Sequence, residues 1–369
     1  MIPGALTALA LALLLGRKGD DAARIAAFGA VAIGLGGQET YGQTIGLSFQ
    51  PATQWWGLLG LAIKGLAWGL AGGALMAVAF QPRRWLRRDL VIGLLLLCAA
   101  THLGWKLINE PKLIYFSNLH DRPRAELYAG QLLGGLAFLG WLWRRGDARM
   151  PSAFALYGAA GGATGFGLGG WIQVVGRASG FESGVGWWKV MEFTFGLLLG
   201  LSFGLFAWRN RAALLAEPPL DELPSGVSWA PALAGLVGGL LLFFAEEHIP
   251  LRWNYTLAGA ALLAAVLAWR KLAWQVAITC TYCAFAIDLQ ENKPGVPWAF
   301  VIATTATMAW LVARPLPERA RLLLLLWTAV AVAAFKLFGS PPAPMLHAVS
   351  LQGTFTLLAA ATTASVLRH

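Results

Sequence analysis

Charge is scarce in this chain. Asp, Glu, Lys and Arg make up 12% of its 369 residues and hydrophobic residues 57%, which excludes an ordinary soluble domain, where about a quarter of residues are charged. Long polar stretches are missing as well. The gaps between apolar runs reach only about 15–20 residues, too short to fold as a soluble unit. Acid is short relative to base, 18 residues against 28. The net charge of +10 does not read as nucleic-acid binding, because the arginines fall in short loops beside apolar spans. There, topology signalling and contact with anionic membrane lipids account for them. Cysteine is limited to Cys98, Cys280 and Cys283, all in apolar runs. Cys280 and Cys283 share a helix face, but without a second Cys or His pair they read as buried thiols, not as a disulfide or metal site. The five histidines form no HExxH-like pairing and no repeated helical pair, so neither a metal centre nor haem ligation is expected. No cofactor is assigned.

What the chain does have is one hydrophobic run after another. About thirteen runs of ~15–24 residues are long enough, or nearly so, to cross a bilayer core. The expected fold is all-α: a polytopic transmembrane bundle of 12–13 helices forming a single integral membrane domain over 1–369. Helices are expected near 2–16, 22–38, 56–80, 90–107, 126–143, 153–176, 187–208, 229–246, 254–269, 272–288, 298–314, 320–338 and 348–367. The first run lacks a basic leader and is followed by Arg17 and Lys18, the reverse of a cleavable signal, so it reads as a retained helix.

Lys and Arg divide sharply between alternate loops. Eighteen, from Arg17 through Arg83, Arg84, Arg144, Arg145, Arg209, Arg270 and Arg314 to Arg368, fall on one side and nine on the other, with Lys64 inside a span. The positive-inside rule places the arginine loops in the cytoplasm. The expectation is a bacterial inner-membrane protein with its N-terminus outside and its C-terminus cytoplasmic, its polar motifs facing the periplasm.

The chain also repeats itself. Gly34-Leu35-Gly36-Gly37, then Trp55-Trp56, then Gly65, Gly69 and Gly73 correspond to Gly167-Leu168-Gly169-Gly170, Trp187-Trp188, Gly196, Gly200 and Gly204. The copies begin four helices apart, so they share an orientation and form a parallel repeat over about 22–145 and 153–270, with a more eroded third unit at 272–367. Glycines at i, i+4 and i+8 make a smooth stripe on which helix backbones approach closely. Both stripes read as packing devices.

The chemistry sits at the outward helix ends. Gln38, Glu39, Tyr41 and Gln43 in one repeat answer to Trp171, Gln173 and Arg177 in the other. Tryptophans at such positions usually anchor the interface, yet rings beside amides and charges are also what a sugar or headgroup site uses. Trp187, Trp188, Lys189 and Glu192 follow. Trp188, Lys189 and Glu192 lie three or four apart on one helix face, and a carboxylate there is costly unless paired. One reading pairs Glu192 with Lys64 across the repeats; the other makes it a general acid or base. His102 and His248 near carboxylates suit proton transfer, and Asp121, Arg122, Glu247 and Asp288 complete the polar rim. The candidate catalytic set is Glu39, Glu192, His102 and His248, with the others binding substrate. The expected function is an outward-facing membrane enzyme, such as a transferase, acting on a lipid-linked or saccharide substrate. A secondary transporter of a small polar solute and a structural subunit of a membrane complex are the alternatives, and protein partners are unassigned.

Overall fold

The computed structural model describes residues 1–118, 123–180, 186–221, 229–292, 295–338 and 345–368, the side chains of 292, 336–338 and 345–351 excepted. Among the described residues there is no strand. The α-helices are α1 (Ile2–Leu14), α2 (Gly19–Gly36), α3 (Gly42–Ser48), α4 (Gln54–Phe80), α5 (Arg87–Gly104), α6 (Tyr128–Arg145), α7 (Arg149–Ala178), α8 (Trp187–Arg209), α9 (Arg211–Ala216), α10 (Trp229–His248), α11 (Asn254–Ala268), α12 (Thr281–Asn292), α13 (Trp298–Ala313), α14 (Glu318–Phe338) and α15 (Met345–Arg368). The thirteen expected helices all appear. The short α3 and α9 are additions, and π-helical turns at Trp105–Asn109 and Gln275–Cys280 extend α5 and precede α12.

Among the described residues five stretches, Gln54–Phe80, Arg87–Asn109, Trp187–Arg209, Trp229–His248 and Arg270–Glu291, are long and apolar enough to cross a bilayer core, which suggests an integral membrane protein. At the centre is α2, buried along nearly its whole length from Asp21 to Gly36. Its alanines and glycines let neighbours approach: Gly29 sits directly against Gly4 and Ala8 of α1. The closest crossing joins α4 to α7, which run antiparallel with Gly65 on Gly162, Gly69 on Gly158 and Gly73 on Phe154. A glycine stripe is what such backbone contact requires in a medium that gives apolar side chains no reason to associate.

The second stripe behaves differently. A methyl group built on Gly196, Gly200 or Gly204 of α8 would meet nothing within 4 Å. The shared sequence pattern therefore packs helices in one copy and leaves a hollow in the other, against the expectation that both stripes serve packing.

The two classes of loop separate to opposite ends. At one end Arg17 is buried and reaches Asp21 at 3.0 Å and the Glu217 carbonyl at 3.0 Å. Arg84 meets Asp147 at 3.2 Å, Arg83 meets Asp221 at 2.6 Å, and the Gly19 amide donates to Glu318 at 2.8 Å. Arginines that read as topology signals thus also tie the ends of α1, α2, α4, α6 and α9 together, and the Gly19 amide adds α14. At the other end the described parts of the loops, 37–41, 115–118 and 123–127, fold inward.

Candidate functional site

Lys64 lies ten residues into α4, about 15 Å along its axis, and is wholly buried. An ammonium at that depth needs counter-charge, and loops supply it. Glu126 accepts from Lys64 Nζ at 2.8 Å and Glu39 lies at 3.3 Å, both carboxylates fully enclosed. The Thr40 carbonyl and the Thr44 hydroxyl also accept from Nζ. The carboxylates are saturated in turn. Glu126 takes the Phe116 amide and the Ser117 hydroxyl, while Glu39 takes the Leu127 amide at 2.7 Å. Irregular backbone at such depth is tolerated only where protein covers it, and this cluster is what pins it there. The expected Lys64–Glu192 pair is not formed: Lys64 turns towards the inward-folded loops, and Glu192 has partners of its own.

Glu192 Oε1 accepts from the Tyr41 hydroxyl at 2.9 Å and from Trp188 Nε1 at 2.8 Å, and Oε2 accepts from Lys189 at 2.6 Å. Tyr41 stacks on Trp188, with ring centroids 5.7 Å apart. The motif on α8 and the motif after α2 therefore converge on one carboxylate. Below it is a cavity of about 280 Å³ between α1 and α8, lined by Pro3, Thr7, Trp68, Phe195, Gly200 and Phe203 among others, with Glu192 and Tyr41 as its polar end. Gly196 lines it and is exposed, so the hollow opens sideways on the flank of α8.

A wider cleft of about 710 Å³ adjoins it, with Pro3 bordering both. Gln38, Glu246, Glu247, Arg252, Asn254, Tyr255 and Asp288 line this cleft. Gln38 is fixed by Thr256, to which its amide donates at 2.9 Å, and its carbonyl accepts from Arg252. Phe355 closes one wall and stacks on Phe193, next to Glu192.

The remaining candidates scatter. Glu39 lines neither cavity and faces Lys64. His102 accepts from Trp253 Nε1 at 3.1 Å between the Trp105 and Trp253 rings, and His248 is exposed with Nδ1 at the Phe244 carbonyl. Neither histidine borders either of these two cavities. Trp171 is exposed, Gln173 is buried, Trp187 lies flat on Gly176, and Arg177 sits 4.1 Å above the Phe49 ring. Gln43 is half-buried on α3. Asp121 and Arg122 lie outside the described residues. Among the described residues no group of three His, Cys, Asp or Glu is placed to hold a metal ion.

The apolar lining of the 280 Å³ cavity is not singled out by the sequence. The only sequence signal for the cavity was the α8 glycine stripe. No protein-family model, curated protein or solved structure matches the chain.

Proposed function

We propose that the chain is a multi-pass enzyme of the bacterial inner membrane acting on a lipid-linked amphiphile, with the arginine end in the cytoplasm and the N-terminus outside. One observation carries this reading: an apolar hollow open to the flank of a membrane helix and ending on a carboxylate held by three donors. From Glu192 to Phe203 the hollow follows α8 for ~16 Å, about half of a 30 Å bilayer core, the depth one leaflet's chains occupy. The tail lies in the hollow, and a hydroxylated or cationic headgroup reaches the acid- and amide-lined cleft beyond Pro3. Glu192 serves as the proton-transfer residue, with Tyr41, Trp188 and Lys189 as its positioning shell. Glu39 is the counter-ion of Lys64. The parallel repeat accounts for the two glycine stripes, one spent on packing and one freed for ligand.

Mass spectrometry of lipid released from the purified protein tests this. The wild type is expected to retain one lipid class enriched over bulk membrane. Gly200→Leu, whose Cβ would meet nothing within 4 Å and whose remaining atoms would enter the hollow, is expected to fold normally and lose it, whereas Glu192→Gln is expected to keep the lipid but lose turnover. Equal lipid retention by wild type and Gly200→Leu would exclude the hollow as a lipid site. Because all three native cysteines are buried, impermeant thiol reagents report orientation cleanly. Cysteine at Gln50 is expected to label from outside and cysteine at Arg84 is not.

The second reading, a transporter, draws on the size of the 710 Å³ cleft and its three carboxylates. Solute uptake into liposomes by the purified protein would favour it.

A further inference from the structure

At the arginine end a second polar chamber is built with no motif to announce it. It is a partly open cavity of about 90 Å³ lined by Arg24 of α2, Arg87 of α5 and Arg270 after α11, with Trp85, Pro82 and Asp20 among its other walls. The volume corresponds to about three waters, or one tetrahedral oxyanion. Three guanidiniums face one carboxylate, and like charges gathered around so small a space repel unless an anion joins them.

Two donors in this wall lack partners. Arg24 is 8% exposed and its Nε has none, while its Nη2 donates to the Val78 carbonyl at 3.3 Å. Trp85 is 6% exposed and its indole N–H is unpaired. Buried donors in native proteins are almost always satisfied, so each orphan asks for an acceptor. The other nearby acid, Asp21, is engaged by Arg17 at 3.0 Å and shares its charge between Arg17 and Arg24. Asp20 answers in part to Arg321. The α5 N-terminus adds to the field: its first turn starts at Arg87 without a side-chain cap, and uncapped amides at the positive end of a long helix favour an anion.

We propose that this chamber is a binding site for a phosphate-type oxyanion, held by Arg24, Arg87, Arg270 and the Trp85 indole. Guanidinium forks match the paired oxygens of phosphate, and a position at the arginine end puts the site within reach of either free phosphate or the headgroup of an anionic lipid. The site is separate from the Glu192 hollow and stands or falls independently of it.

The test is thermal unfolding of the full-length protein in a nonionic detergent at constant ionic strength. The probes are inorganic phosphate, dihexanoyl phosphatidic acid and dihexanoyl phosphatidylcholine, each titrated alone. A ligand that binds the folded state raises Tm saturably. The wild type is expected to respond to phosphatidic acid or to phosphate and not to phosphatidylcholine. Saturation by phosphate identifies the free ion as sufficient, and a response to phosphatidic acid alone identifies a lipid headgroup. Arg87→Gln, at an exposed position that leaves the fold intact, is expected to raise the half-saturating concentration about tenfold, the worth of one charge-assisted contact. Arg87→Gln combined with Arg270→Gln is expected to abolish the response. No response of the wild type to either phosphate probe, an equal response to phosphatidylcholine, or wild-type saturation in Arg87→Gln would overturn the proposal.

Discussion

Replacing Lys64 with methionine is expected to cost about 3–5 kcal/mol, because it strands Glu39 and Glu126 as buried anions without their shared cation. Neither carboxylate has solvent to turn to, since all three side chains are enclosed. The loss should also release the loops that these carboxylates anchor through the Leu127, Phe116 and Ser117 contacts. Unfolding in detergent by heat or denaturant measures the first effect, and faster proteolysis near 115–127 the second. Charge, not shape, is the cause, so Lys64→Met with Glu39→Gln and Glu126→Gln should recover much of the stability: a neutral set of similar volume no longer carries desolvated charge. Failure of the triple variant to recover would show that Lys64 acts through packing. The Lys189–Glu192 pair is the contrast. Its side chains are 44% and 29% exposed, and pairs this wet contribute at most about 1 kcal/mol. Glu192→Gln should therefore leave stability nearly unchanged, which separates its role in turnover from a role in folding.

The same cluster marks the limit of what sequence could tell. Hydropathy located every long helix, because a span must be apolar over a fixed length whatever it packs against. It also separated the arginine loops from the polar ones, and the contacts of Arg17, Arg83 and Arg84 gather the former at one end. Depth of a loop was not legible. Glu39 reads as a catalytic candidate at an outward helix end, and nothing in its spacing says that the backbone folds inward to Lys64. Of the two readings of Glu192, the one that pairs it with Lys64 places both partners on helices, whereas the carboxylates at Lys64 come from loops. Convergence of Tyr41, Trp188, Lys189 and Glu192 was partly legible: three share a helix face, while Tyr41 arrives from the other motif. The walls of the hollow had no signature, since Phe195 or Leu199 facing a void looks identical to Phe195 or Leu199 facing lipid. The π-helical turns and the short α3 and α9 were equally silent, being too brief to impose a period.

The glycine stripes make that ambiguity measurable. Gly69→Ala is expected to be among the most damaging single substitutions in the chain, although alanine is the better helix former. Its methyl group would lie 1.8 Å from the Gly158 carbonyl oxygen and 2.3 Å from the carbonyl carbon. Both are backbone atoms, so no rotamer change relieves the overlap and α4 must move away from α7. Separating that crossing also opens the flanking contacts of Gly65 with Gly162 and of Gly73 with Phe154. Overpacking with side-chain neighbours costs about 1–3 kcal/mol, and a rigid neighbour puts Gly69→Ala at the top of that range or above it. Gly200→Ala, at the corresponding place in the other stripe, has nothing within 4 Å. Only the helix-propensity gain remains, up to about 1 kcal/mol in favour of alanine. Identical substitutions at equivalent places in the two glycine stripes are thus expected to move stability in opposite directions, readable as Tm or as the fraction monodisperse after extraction. Equal effects at the two positions would mean that α8 is packed on its glycine face as α4 is, and that the hollow below Glu192 is closed.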